Sequence, residues 1–419
     1  MLAFIPPTVL SPLLSLFIFI VGHGLLSTLL TLRLNAEGAA AGWIGLVSSA
    51  YFAGLVLGAF VNVRLIRRIG HIRAYAAYAS LLAVLALCHG LMVDPLLWSG
   101  LRLVGGFATG GLFVVIESWM LVSGSAATRG RLMACYMILL YGGLAAGQWL
   151  LRFIDPLQLS PFALAAISAS LSVLPLALTR VPLPQTEAAR HISLLTLARL
   201  TPAAVGSCVA SGLVLGGVYG LLPLFFAANG RSLEAVANLM ALVILGGMVL
   251  QYPLGRLSDR FDRRRILAWL GLGLLLFSIT MLIASQLPWS WLRAGTIFLF
   301  GGLAFSLYPI SLSQACDELT PEQMVSANQG MLLAYSLGSM TGPLLASQAM
   351  QHTGPQALFA YFALCGGLLT LFLLWRQRQR LPVPADAQQS YSPMAPNTPL
   401  GAELDPRTPD TVSAQATSN

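Results

Sequence analysis

Long apolar runs alternate with short polar breaks along most of this chain. A helix that crosses a bilayer needs about 20 consecutive apolar residues. By that measure the pattern predicts spans at about 9–32, 42–63, 74–92, 97–121, 132–153 and 161–179. A second set follows at about 203–227, 235–254, 266–286, 292–313, 326–350 and 356–375. Asp94-Pro95 and Asp155-Pro156 turn the chain between spans. No basic residue precedes the first run and no small-residue cleavage site follows it, so it reads as a retained span rather than a signal peptide. Residues 181–201 carry Pro182, Pro184, Glu187, Arg190 and Arg199 and read as a cytosolic connector between a first half, 1–180, and a second, 202–380. Within the connector, 191–200 has the composition of a short surface helix. Beyond Arg376, Arg378 and Arg380 the residues turn to Pro, Ser, Gln, Asp and Thr, and 381–419 is expected to be a disordered cytosolic tail.

Composition fits a chain whose main solvent is hydrocarbon. It is 57% hydrophobic and 9% charged, against about 25% charged in soluble domains. The expected fold class is therefore an all-α membrane protein of twelve transmembrane helices.

Charge adds an orientation. All 23 basic residues are Arg, and most fall on one side of the predicted spans. Arg64, Arg67, Arg68 and Arg73 form one tight basic loop; Arg256, Arg260, Arg263, Arg264 and Arg265 form another; Arg129, Arg131, Arg180, Arg190, Arg199, Arg376, Arg378, Arg380 and Arg407 join them. The other side holds Arg33, Arg152, Arg231 and Arg293. The positive-inside rule then places both termini in the cytosol. Arg33, at the far end of the first span, points the other way and is outnumbered. The net charge of +8 does not imply nucleic acid, because the arginines lie in loops between apolar spans and fit an anionic leaflet.

The same composition excludes much chemistry. Without Lys there is no phosphate-binding P-loop lysine and no Schiff base. Gly105, Gly106, Gly110, Gly111, Gly142, Gly143 and Gly147 read as helix-packing positions rather than phosphate loops. Cys88, Cys135, Cys208, Cys316 and Cys365 stand singly in different apolar segments, as small hydrophobes rather than metal ligands or disulfides. No HExxH, GxSxG or intramembrane acidic cluster suggests an enzyme. No cofactor or metal is expected.

The chain also repeats itself. Arg64-Leu65-Ile66-Arg67-Arg68 aligns with Arg256-Leu257-Ser258-Asp259-Arg260, Arg102 with Arg293, and Gly143 and Gly147 with Gly338 and Gly342, all at an offset of about 190–195 residues. An even number of spans per repeat makes the halves parallel, which puts a substrate site near the midplane between them.

Two of these segments carry a resemblance. Gly255-Arg256-Leu257-Ser258-Asp259-Arg260-Phe261-Asp262-Arg263-Arg264 resembles the loop signature G-x-L-x-D-R-x-G-R-R of the major facilitator superfamily. Arg102-Leu103-Val104-Gly105-Gly106-Phe107-Ala108-Thr109-Gly110 resembles its fourth-helix signature R-x-x-x-G-x-x-x-G. Glu117-Ser118-Trp119 with Arg129-Gly130-Arg131 looks like the YcaD-type bacterial branch. The resemblance covers about 1–380 and implies two six-helix halves, a cytosolic gate built on Gly255, Asp259, Arg260 and Arg264, and a coupling or anion-holding role for Arg102. The first-half loop departs from the pattern, with Val63 in place of Gly and Arg67 in place of Asp, which puts the gating role of Arg67 and Arg68 in question. The fifth span lacks the Gly-Pro pair that marks drug antiporters, although Gly342-Pro343 occurs in the eleventh.

Polar residues inside spans cost free energy and need a reason. Glu117 is read either as the partner of a nearby loop arginine or as a carboxylate that loads and releases a proton. Arg102 is either a snorkelling side chain or the coupling group of the resemblance. His23 suits packing, proton relay or substrate contact. Tyr141, Gln148, Tyr219, Gln251, Tyr308, Gln314 and Tyr335 are candidates either to line a cavity or to bond helix to helix. The expected function is secondary active transport of a small molecule by alternating access across the bacterial inner membrane. A proton is the expected coupling ion, membrane lipid the surroundings, and a monomer the working unit. The alternatives are a non-transporting sensor or scaffold on the same fold and, more remotely, a membrane-embedded enzyme.

Overall fold

The structure, a computed structural model, describes residues 7–123, 126–179, 193–319, 321–379, 384 and 388–396. The described residues form helices and connections, with no strand among them. In the first half α1 is Pro7–Ala36, α2 Ala41–Ile69, α3 His71–Leu91, α4 Pro95–Ser123 and α5 Ala126–Leu150. The sixth span is broken into α6, Ser160–Leu171, and α7, Val173–Ala177. Pro175 explains the break: its ring would meet the carbonyl of Leu171 one turn earlier. The freed turn is held by Ser172, whose hydroxyl donates to Ala169 O at 2.7 Å and accepts from Tyr75 at 3.1 Å. The connector helix α8, Leu194–Leu200, starts at Ser193, whose hydroxyl accepts from Thr196 N. In the second half α9 is Pro202–Ala228, α10 Leu233–Ser258, α11 Arg263–Gln286, α12 Ser290–Glu318, α13 Pro321–Thr353 and α14 Ala357–Gln377.

Among the described residues, eleven of the spans are long and apolar enough to cross a bilayer, counting α6 and α7 as one. The twelfth, α13, is not among them, because it carries Asn328, Gln329, Ser336, Ser339, Thr341, Ser347 and Gln348. It lies instead against α9 and α2 in the middle of the molecule. Outward faces carry Leu57, Phe60, Val84, Ile138, Leu276 and Leu371 in the open, a surface suited to lipid rather than water.

The repeat is visible in the packing. Helices α2 and α4 pair as α10 and α12 do, α1 and α5 as α9 and α13 do, and α3 and α6 as α11 and α14 do. A Cβ at Gly54 would overlap the carbonyl oxygen of Leu103, and one at Gly246 that of Phe298. Glycine at each site lets backbones touch, which is how helices associate where lipid removes the hydrophobic drive. The halves then meet symmetrically, α2 on α13 and α5 on α10.

The two ends of the bundle differ. One end carries the basic connections: Gly70, at φ +89°, makes the one-residue link between α2 and α3, and Asp259–Asp262 links α10 to α11. At the opposite end the halves are clamped together. Thr31 Oγ1 donates to Gly220 O at 2.9 Å, Arg152 pairs with Glu234, and Gly45 packs against Ser347. Arg180, Arg190, Arg380 and Arg407, which the sequence reading counts toward sidedness, lie outside the described residues. So does 180–192 of the connector.

Within the segment expected to be a disordered tail, residues 388–396 lie against α10 and α12 at the basic end, with Ser392 and Met394 buried. Their order comes from tertiary contacts described below, which a polar, Pro-containing segment does not announce.

Candidate functional site

A cavity lies between the halves, with about 1120 Å³ of space free of atoms, its open part included. Of the predicted residues, His23, Arg102, Tyr141, Tyr219, Tyr308 and Tyr335 all face it. They come from α1, α4, α5, α9, α12 and α13, so both halves contribute walls. Ser27, Thr31, Ser48, Tyr51 and Phe305 are also part of the polar and aromatic lining. The rings are packed on edges: Tyr141 and Tyr219 meet Phe305 at 5.3 and 5.9 Å, and Tyr308 meets Tyr335 at 5.4 Å. Such contacts fix ring orientation and leave the hydroxyls as adjustable donors.

Arg102 is the cation of the cavity. Its guanidinium lies 4.1 Å from the centre of the Tyr51 ring. Gly106, one turn along α4, presses on the backbone of Tyr51 and sets this stacking. Tyr51 in turn contacts His23 Nε2 through its hydroxyl at 3.2 Å, and His23 stacks on Phe19. Among the described residues no carboxylate pairs with Arg102. It is thus a cavity group rather than a side chain reaching out to headgroups. Tyr51, which ties Arg102 to His23, is absent from the sequence candidates. Its position one repeat before Val243, in the glycine-spaced face of α2, is a weak signal.

Three predicted residues do not reach this wall. Gln148 Nε2 donates to Gly24 O at 2.8 Å and straps α5 to α1. Gln314 Nε2 donates to Glu318 Oε1 at 3.0 Å within α12. Gln251 is buried on α10 beside the tail, its Nε2 3.5 Å from Met394 O. Arg293 is structural too, donating to Leu287 O at 2.5 Å and covering the end of α11.

The gating candidates divide between the two halves. Glu117 is 2% exposed and accepts from Tyr136 Oη at 2.7 Å. Arg67, Arg68 and Arg260 are exposed. Arg264 folds back on Asp262, Nη2 to Oδ2 at 3.1 Å, where Asp262 also caps α11. The centre of the second-half loop is a residue the sequence reading did not single out. Arg263 is fully buried, with Nε 2.7 Å from Asp317 Oδ2, Nη2 3.1 Å from Asp259 Oδ1 and Nη1 3.3 Å from Ser258 Oγ. Asp317 itself is 1% exposed at its side chain. An acidic residue near the end of an apolar helix, facing a loop of five arginines, is the signal for this clasp.

The tail completes it. Gln389 N donates to Asp317 Oδ1 at 2.9 Å, Tyr391 N donates to Asp259 Oδ1 at 2.8 Å, and Arg263 Nη2 donates to Gln389 O. The Tyr391 ring occupies the space that a side chain at Gly255 would fill. Ala395 and Pro396 reach the cavity wall.

Comparison with known proteins agrees with this architecture. A sequence model of the Major Facilitator Superfamily matches residues 12–333. An uncharacterised MFS-type transporter, YcaD of Escherichia fergusonii, is 34% identical over 357 residues, covering 84% of this chain and 91% of the relative. Among solved structures, the nucleoside transporter NupG superposes with a TM-score of 0.73 at 14% identity, over 88% of this chain and 98% of that one. A D-xylose-proton symporter superposes with a TM-score of 0.66 at 15% identity, over 91% and 98%. With a cavity walled by both halves of a parallel repeat and a family match over most of its length, this chain belongs to the major facilitator superfamily as a multi-pass membrane transporter related to YcaD.

Proposed function

We propose that this transporter is a secondary active carrier that moves a small amphipathic solute across the bacterial cytoplasmic membrane by alternating access, with a proton as the coupling ion. The observation that carries the reading is the central cavity, built by both halves and furnished, among the described lining residues, with one arginine, Arg102, whose described contact is an aromatic ring. A guanidinium in such a site attracts a carboxylate or another strong acceptor. Aromatic side chains, among them Tyr51, Tyr141, Tyr219, Phe305, Tyr308 and Tyr335, offer the apolar body of the solute a wall. Clamps at one end of the cavity and the basic connections at the other support a rocking motion of the halves about this site. By the positive-inside rule the basic end faces the cytosol. Glu117, buried at that end against Tyr136, and His23, against Tyr51, are the groups best placed to carry the proton.

Two measurements test the reading. A panel of small carboxylates, zwitterions and neutral amphiphiles is scored by thermal stabilisation of the purified protein at two pH values. A stabilising class is expected, and Arg102→Gln is expected to weaken its binding about 10- to 100-fold, the loss of a charge-assisted bond. The same class should then enter proteoliposomes saturably under an imposed pH gradient. A protein that moves no solute under any gradient overturns the proposal. The departures at Val63 and Arg67 favour, as a second reading, a sensor on a transporter fold; saturable transport excludes it.

A further inference from the structure

We propose that residues 388–396 are a plug built into the chain, which enters the basic mouth of the central cavity, fastens on Asp259 and Asp317, and must withdraw before solute passes that end. The last clause rests on the transporter reading; the plug itself does not.

The fastening is made by backbone groups. Amides of Gln389 and Tyr391, two residues apart, donate to Asp317 and Asp259, while Arg263 holds both carboxylates and the carbonyl of Gln389. Arg263 meets two carboxylates, and each of them also accepts from the tail. The two tail amides donate to carboxylate oxygens, and bonds to a carboxylate are stronger than neutral ones. Further along, Met394 is 2% exposed and its carbonyl faces Gln251. Tyr391 fills the space left by Gly255, and Ala395 and Pro396 share the cavity wall with Arg102 and Tyr141.

The geometry makes this an obstruction rather than a decoration. The other end of the cavity is shut by Thr31 on Gly220, Arg152 on Glu234 and Gly45 on Ser347. The tail thus lies at the mouth by which the cavity communicates with its surroundings. A rearrangement that draws α10 and α12 toward the first half at the basic end meets the tail in its path. The tail is also tethered: the ten residues between α14 and residue 388 span at most roughly 35 Å, and a tether of that length holds the segment at millimolar local concentration. Occupancy is therefore set by the chain itself, and a partner that takes the tail away opens the mouth.

The test reads access to the cavity directly. Ser27→Cys places a thiol in the wall at nearly constant volume, and labelling by a hydrophilic maleimide is followed by peptide mass spectrometry in detergent, with the native cysteines kept. Three chains are compared: full length, one ending at Gln379, and a full-length chain with Gly255→Ala, which displaces the Tyr391 ring without deleting the tail. Labelling of the full chain is expected to be about tenfold slower or more than in the other two, as a small open population dictates. A synthetic peptide of residues 384–400 at millimolar concentration should restore slow labelling to the truncated chain. Equal rates in all folded chains overturn the plug. Should the truncated chain not fold, Gly255→Ala and Tyr391→Ala decide against the full chain alone. A rate difference without solute transport keeps the plug and removes the transporter reading; transport with no rate difference does the reverse.

Discussion

At the first residue of α3 stands His71, and at the matching first residue of α11 stands Arg263. Each opens its helix just after the basic connection, a single Gly70 in the first half and Asp259–Asp262 in the second, yet the chemistry has diverged. His71 is buried beside the Trp119 ring, at 6.1 Å, and its Nε2 has no hydrogen-bond partner among the described atoms. Arg263 holds Asp317, Asp259, Ser258 and the tail. Where the second loop has Asp259, the first has Arg67, exposed to solvent. Duplication of a fold thus preserves helix pairing, which rests on glycines and backbone contact, and leaves polar roles free to separate. In the second half this position holds the tail through Asp259 and Arg263; in the first it carries an arginine in place of the carboxylate.

The largest expected contrast comes from removing the two matched residues. Arg263→Leu takes its arginine away from the buried carboxylate of Asp317 and is expected to cost about 3–5 kcal/mol. His71→Leu replaces an unsatisfied group and is expected to change stability by less than about 1 kcal/mol. Thermal unfolding in detergent reads both, and equal losses would erase the distinction. Next, Gly54→Val and Gly246→Val should each destabilise by about 1–3 kcal/mol, because both halves depend on the same close approach. A large inequality there would mean that the repeat is not mechanical as well as visual. Smaller again, Asp259→Asn removes the charge from the bond to Tyr391 N and should weaken tail docking by about 1 kcal/mol. That shows as faster labelling at position 27, whereas Arg67→Asn should leave the labelling rate unchanged. Smallest are Arg68→Gln and Arg260→Gln, both exposed, where the melting temperature should not move measurably in either half.

The fold was legible because bilayer physics writes it in long apolar runs, basic loops and an offset of glycines and arginines. The tyrosines of the cavity were legible for a related reason: a phenol in a span needs a partner or a void, and Tyr141, Tyr219, Tyr308 and Tyr335 all line the cavity, Tyr308 with its hydroxyl also 3.5 Å from Asn328 Oδ1. Gln148, Gln251 and Gln314 present the same polarity but took partners, Gly24, the tail and Glu318. Periodicity cannot separate these outcomes, because the choice depends on which helix lies opposite. Arg263 was hidden among its neighbours: five arginines in one loop look alike until burial singles one out. The tail was hidden because it has no periodicity at all. Its order is borrowed from Asp259 and Asp317, which are distant in sequence.

The polarity of α13 bears on how the protein is made. A segment with that many amides and hydroxyls is a poor substrate for direct partition into lipid, so its place between α9 and α2 has to be prepared before it arrives. Biogenesis would then proceed with the second half partly assembled and one helix drawn in late by neighbours that satisfy it. A weakened α9 would therefore show itself first as a topology error in α13, a failure of insertion rather than of carriage.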